Sequence, residues 1–253
     1  MYKILFTICG RAGSKGVKNK NIKNFNGVPL VYYTIAAIKL FIEKNIDKYQ
    51  ADVVLNTDSH ELIDIVSRQS VIKVAVINRS SELGGDAVPK VSVIKDCFIK
   101  MDRVYDTVVD LDITSPIRTV KDITNAVELK LSRPDMDVVY SVTEARRNPY
   151  FNMVKIENGY SVKVMPSKFT MRQQAPEFYD MNASIYAYSV NALLKKDPVT
   201  FFSSNCGQII MKDTGILDID SEEDYEIMQV IAKYISSNDI KFGEVYRYAN
   251  TIL

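Results

Sequence analysis

Short apolar runs rich in β-branched residues alternate along the chain with segments whose apolar positions recur every three to four residues. This alternation predicts a mostly parallel sheet flanked by helices. Ile4 to Cys9 reads as a first buried strand. A helix follows from Pro29, with Leu30, Thr34, Ala37, Ile38 and Phe41 on one face. Asp52 to Thr57, Val71 to Ile77, Asp106 to Leu111 and Asp137 to Thr143 read as the next four strands. Between them, Glu61 to Gln69, Pro89 to Met101 and Lys121 to Leu131 carry helical periodicity.

The pattern breaks between Glu144 and Glu177. Only two short strand-like pieces stand there, Met153 to Ile156 and Ser161 to Met165, with Asn158-Gly159 between them. Asn-Gly between alternating segments is a strong hairpin signal, and 144–177 reads as an inserted arm. Ala183 to Tyr188 is then extended and Ser221 to Tyr234 helical, with Ser221 as cap and Glu222, Glu223 and Asp224 in the first turn. The chain thus divides into an α/β domain over 1–143 and 178–236, the arm, and a C-terminal stretch, 237–253, to which no pattern assigns a role.

The chain has 253 residues, enough for one large α/β domain and an ample core. A formal charge of +1, with both signs spread throughout, argues against nucleic acid or an anionic membrane as the main partner. The apolar run after Met1 is too short for a signal peptide, and no later run approaches membrane-spanning length. Cys9, Cys97 and Cys206 lack metal-ligand spacing and read as reduced core residues of a cytoplasmic protein. The single histidine, His60, leaves no room for a Ser-His-Asp triad or a His-rich zinc site, so a metal would need oxygen ligands.

The first strand runs straight into a loop holding Gly10, Gly13 and Gly16 together with Arg11, Ser14, Lys15, Lys18 and Lys20. Glycines let backbone N–H groups approach a ligand, and the cations favour a guest with several phosphates. The spacing is neither a Walker loop nor the dinucleotide fingerprint. A basic solvated turn would look the same. Other suggestive residues also follow strands, where open α/β sheets collect ligands. Arg79 lies in the segment Asn78 to Asp86, and Leu111-Asp-Ile-Thr-Ser-Pro-Ile-Arg118 follows the fourth strand. Asp218-Ile-Asp220, read as a strand, would set two carboxylates on one face, a pair suited to Mg²⁺.

Arg11-Ala-Gly-Ser-Lys-Gly followed by Lys20-Asn-Ile22 resembles the opening motif of the acylneuraminate cytidylyltransferases, with Cys9-Gly10 in place of Pro-Ala and Ala12 in place of Gly. Several later segments resemble that family in the same order: the Arg79 segment, Thr114 to Arg118, Arg172-Gln-Gln-Ala-Pro176, Asp180-Met-Asn-Ala-Ser-Ile-Tyr186, Phe201-Phe202 and Asp218-Ile-Asp220. Asp112 stands where the family often has Gln, and Ala183 where it has Gly. Ala145 to Asn152 with Tyr179 to Asn182 resembles the branch acting on legionaminic-type sugars.

The resemblance implies a three-layer, nucleotide-diphospho-sugar transferase-like fold. It also implies a reaction of CTP with a nonulosonic acid that yields the CMP-sugar and pyrophosphate. Arg11, Ser14 and Lys15 would hold the triphosphate, Lys20 would stabilise charge near the reacting phosphate, and Asn21 and Arg79 would contact the cytidine. Asp218 and Asp220 would hold Mg²⁺. Asp112, Arg172, Gln173, Asn182, Tyr186, Phe201 and Phe202 would face the sugar, although core packing explains the two phenylalanines equally well. The arm would reach a second subunit in a homodimer. A cytidylyltransferase for another acid sugar such as Kdo, and a non-catalytic nucleotide-binding domain, are the alternatives.

Overall fold

The computed structural model describes residues 1–253 except 14–16, 18, 86, 199, 204, 213–218 and 253. Strand β1 (Tyr2–Gly10) ends in the basic loop, and a small hairpin, β2 (Asn24–Phe25) and β3 (Val28–Pro29), leads into helix α1 (Val31–Lys44). Pro29 therefore closes this hairpin, and the helix begins just after it. The chain continues through β4 (Tyr49–Thr57), α2 (His60–Arg68), β5 (Ala75–Asn78), α3 (Lys90–Met101), β6 (Thr107–Leu111), α4 (Val120–Ser132) and β7 (Val138–Glu144). These are the expected βα units, with ends displaced by a few residues, as fraying elements allow.

After the arm strands β8 (Val154–Glu157) and β9 (Tyr160–Lys163) come β10 (Tyr179–Ser189), α5 (Val190–Lys195), β11 (Cys206–Ile210), α6 (Glu222–Asn238) and α7 (Ile240–Ala249). Among the described residues the main sheet has seven strands in the order β11-β7-β10-β6-β1-β4-β5. Strands β5, β4, β1 and β6 are parallel neighbours, and β10 lies antiparallel to both β6 and β7. One face packs Ile4, Phe6 and Ile8 against α1, α2 and α4. The other packs Leu5 and Val108 against Val91, Ile94 and Cys97 of α3. The result is three layers.

Asn158 and Gly159 both take positive φ, 53° and 82°, the backbone of a tight turn whose twist matches its strands. Among the described residues the β8–β9 hairpin pairs only within itself. Strand β11 and helix α7 are additions to the predicted elements. Helix α7 is capped by Asp239, whose Oδ1 accepts from the N–H groups of Lys241 and Phe242. It buries Phe242, Val245 and Ala249 against α1 and α6. A Cβ on Gly243 would fall 2.5 Å from the Ser236 carbonyl oxygen, so glycine is what lets α7 fold back on α6. Helix α7 and Ile252 therefore contribute to the core. Ile219 and Asp220, read above as a strand, lie instead in irregular backbone before the Ser221 cap, because Ser221 and Asp224 turn the chain into α6.

Candidate functional site

At the carboxyl ends of β1, β4, β5 and β6 the surface opens into a cleft of about 260 Å³. Arg11, Lys20, Asn21, Arg79, Lys90, Asp112 and Thr114 line it. A smaller hollow of about 170 Å³ shares Arg11, Lys20 and Asn21 and extends along Ala12, Gly13 and Ser59. The basic loop thus borders both. Its path is tied down by backbone bonds: the Ala12 N–H donates to Asp58 Oδ1 at 2.6 Å, and Asn21 Nδ2 donates to the Arg11 carbonyl at 3.3 Å. A Cβ on Gly10 would fall 2.6 Å from a Leu62 methyl, so any larger residue where β1 enters the loop would require the Leu62 side chain to shift.

Arg79 follows β5 and is held by β4. Its Nε donates to Asn56 Oδ1 at 2.8 Å and its Nη2 to the Asn56 carbonyl at 2.9 Å. A guanidinium fixed by its own fork presents its remaining donors in a set direction. Lys20 donates to the Ile219 carbonyl and stands 3.5 Å from Asp220 Oδ1, which joins the loop to the start of α6. Ser14, Lys15 and Asp218 lie outside the described residues.

Below the cleft, Lys90 at the start of α3 sits between two carboxylates. Its Nζ is 2.8 Å from Asp110 Oδ2 and 2.5 Å from Asp112 Oδ2. Asp110 is fully buried and also accepts from Thr7 Oγ1 at 2.8 Å. Asp112 Oδ1 accepts from the Thr114 N–H and hydroxyl at 3.1 and 2.9 Å. Burial opposes the Lys90 charge, yet the two carboxylates hold its ammonium well above its ordinary range. Burial likewise opposes the Asp112 carboxylate, but Lys90 and Thr114 outweigh it and hold the group at about 2.

The sign of the Asp112 shift sets a pH window. Because the folded value lies below the unfolded one, its stabilisation is complete above pH about 4 and is lost as pH falls toward 2. The expected result is a native protein more stable than Asp112→Asn by roughly 2 kcal/mol near neutrality. That margin should shrink in urea titrations as pH is lowered from about 5 to 3. A margin independent of pH would show that the carboxylate charge contributes nothing.

Cys9 at the end of β1 also lines the cleft. A hydrogen bond with Cys97, together with burial, pushes its thiol well up, so it stays protonated and is no nucleophile.

A second group of candidate residues lies across β6, on β10 and β7. Asn182 is buried, and its Oδ1 accepts from Ser141 Oγ at 2.6 Å. Its Nδ2 has no hydrogen-bond partner among the described residues. Such an orphaned donor costs free energy unless a ligand or water meets it. Ala183 takes a left-handed φ of 49°, and the pairing of β10 with β7 slips between Met181 and Tyr186. This is the backbone a glycine would adopt without strain. Tyr186, Tyr140 and Phe202 form an aromatic group with ring centroids 5.8–6.5 Å apart.

The two phenylalanines part company. Phe201 is fully buried against Tyr188, whereas Phe202 is 41% exposed. Arg172 Nη2 donates to the Ala145 carbonyl at 2.8 Å, and Gln173 lies exposed in the same short turn. Arg118, which ends the Thr114 segment, is buried and donates to the Ser115 carbonyl at 2.6 Å, so it shapes its own turn. Sequence reasoning missed Lys90, Asp110 and Asn56. Each is one polar residue at the edge of an apolar segment, and only pairing across strands joins them.

A family model described as cytidylyltransferase matches residues 5–241. The CMP-N,N'-diacetyllegionaminic acid synthase of Campylobacter jejuni is 37% identical over 235 residues, covering 91% of this chain and 95% of that protein. The post-translational flagellin modification protein B of Campylobacter coli is 36% identical over 237 residues, covering 92% and 96%. The N-acylneuraminate cytidylyltransferase of Streptococcus agalactiae serotype V is 28% identical over 88% of this chain and 52% of its own length. Among solved structures, CMP:2-keto-3-deoxy-manno-octonic acid synthetase complexed with CTP superposes with a TM-score of 0.66 at 15% identity, covering 92% of this chain and 99% of that one. That likeness is one of fold.

Proposed function

We propose that this chain, which belongs to the cytidylyltransferase family, joins CMP from CTP to a nonulosonic acid of the legionaminic or sialic type and releases pyrophosphate. The observation that carries this reading is the cleft, which sets Arg11, Lys20 and Asn21 on one side and Arg79 on the other. Arg11 and Lys20, with Ser14 and Lys15 of the same loop, hold the triphosphate. Asn21 and the anchored Arg79 contact the cytidine. The anomeric hydroxyl of the acid sugar attacks the α-phosphorus in line as pyrophosphate leaves. Catalysis then rests on positioning and on cations aimed at the developing charge.

The sugar side falls to Asn182, Tyr186 and Phe202 on β10 and the turn before β11, with Arg172 and Gln173 at the end of the arm. The orphaned Asn182 amide and the half-open Phe202 ring support that assignment. Phe201 backs this surface from the core, and Asp112 acts through Lys90.

Asp218 and Asp220 are the residues assigned to Mg²⁺. The Asp220 carboxylate is 81% exposed on the cleft rim beside Lys20, and a hard oxygen donor next to a phosphate-accepting loop is what magnesium takes. When bound, the metal neutralises phosphate charge. The test of the reaction is pyrophosphate release from CTP with a panel of nonulosonic acids and with Kdo. Turnover of Kdo alone would reassign the substrate, and CTP binding without turnover would reduce the chain to a binding domain.

Residues 144–177 form the dimerisation arm of this reading, inserted between the two parts of the nucleotidyltransferase domain. Val154, Ile156 and Tyr160 are 63%, 75% and 75% exposed on a hairpin that pairs with no other strand among the described residues. Apolar surface of this kind marks an interface, and a two-fold dimer would cover it in both copies. Arg172 ends the arm, which couples assembly to sugar binding. Light scattering is expected to give a dimer at micromolar concentration, and Ile156→Asp with Tyr160→Asp should lower both the dimer fraction and acid-sugar turnover. A fully active monomer would sever the two.

A further inference from the structure

We propose that Lys90 is a specificity-determining residue for the acceptor, its ammonium donating to an oxygen of the acid sugar. This rests on the function proposed above and assigns a residue that no sequence motif marked. The geometry begins with strand pairing. Thr7 pairs with Asp110, Asp110 with Tyr186, and Tyr186 with Tyr140, so these four side chains form one row on the same sheet face. Lys90 reaches from α3 onto the Asp110 position of that row. Its ammonium therefore stands on β6. On one side lie the strands that carry the basic loop and Arg79. On the other lies β10, with Tyr186 and Asn182. A group that joins two substrates must be approached from both sides of this line.

Chemistry selects Lys90 from the groups gathered there. Asp110 is fully buried; its Oδ1 accepts from Thr7, while its Oδ2 has the ion-pair contact with Lys90 and no hydrogen bond among the described residues. Asp112 spends its oxygens on Thr114 and Lys90. Neither carboxylate can donate. Lys90 carries three donors and gives one to Asp112, with an ion-pair contact to Asp110, while its side chain is 34% exposed and lines the cleft. A cation at the first turn of a helix is disfavoured by the helix dipole, so the two carboxylates hold it where the helix does not. Among the described residues no further group accepts from this ammonium, which leaves a donor for an oxygen in the cleft. A hydroxyl or carboxylate of the acid sugar presents such an oxygen at this position.

The test compares the full chain with Lys90→Met and with Lys90→Met combined with Asp110→Asn, using Mg²⁺, CTP and a panel of nonulosonic acids. The double variant leaves the net charge of this group unchanged and spares Asp112 and the other residues that line the cleft. Thermal melting reports whether it folds. The expected result is a folded double variant whose kcat/KM for the preferred acid falls about 100-fold, whose ranking of the acids flattens, and whose Kd for CTP changes less than about threefold. Recovery of native kcat/KM in the double variant would overturn the proposal, since Lys90 would then only balance charge. A parallel loss of CTP affinity would overturn it by giving Lys90 to the nucleotide. A native protein that turns over no acid in the panel would overturn the proposed function itself, and this inference with it. If the double variant does not fold, Lys90→Arg takes its place, and an unchanged ranking of the acids in that variant would count against the contact.

Discussion

Arg11→Ala is expected to lower kcat/KM for CTP by about 2–4 kcal/mol, on the order of 30- to 1,000-fold, without unfolding the protein. Arg11 borders both hollows of the cleft, and its backbone carbonyl accepts from Asn21, a tie that truncating its side chain leaves in place. Truncation therefore removes a cation from the phosphate-binding surface and leaves the loop's anchors, Asp58 and Asn21, in place. Lys15→Ala, in the same loop, should act in the same direction. Steady-state pyrophosphate release together with far-UV circular dichroism decides the matter. A loss of folded signal matching the loss of activity would make Arg11 a structural residue and leave the loop a basic turn.

The carboxylates assigned to the metal carry the second large effect. Asp218→Asn and Asp220→Asn should each lose most turnover while the protein stays folded, because a charged oxygen ligand becomes a neutral amide. Asp220 is exposed and its contact with Lys20 is a surface pair at 3.5 Å, worth little to stability. The Ser221 cap and its bonds with Asp224 do not pass through the Asp220 side chain. Activity and melting temperature should thus separate. Raising Mg²⁺ should recover part of the activity, and the apparent Mg²⁺ requirement, read by titration, should move upward. Near-native turnover of both variants at low Mg²⁺ would remove these residues from the mechanism.

The same separation between what is local and what is not governs how much could be read beforehand. The βα units were legible because each carries its own periodicity and its own end signals. Ser221 with its acidic first turn and Asn158-Gly159 with its two positive φ values are instances. Helix α7 was not, because its apolar residues are too few to declare a face until α1 lies across them. The strand reading failed at Ile219 and Asp220 for a related reason. Alternation over three residues cannot compete with a capping box that begins at the next one.

The order of apolar segments and the turn and cap residues settled by themselves that this is an α/β protein with a glycine-rich basic loop after its first strand and a break in its βα pattern over 144–177. Those features act through neighbours a few residues away, where backbone sterics and spacing suffice. Only the tertiary structure decided that Arg79 is anchored by Asn56, that Phe201 is core while Phe202 is open, and that Lys90 lies between Asp110 and Asp112. Each of these depends on strands or helices distant in sequence brought side by side. A charge's partner, and the direction in which its last donor points, exist only once the sheet has set its register.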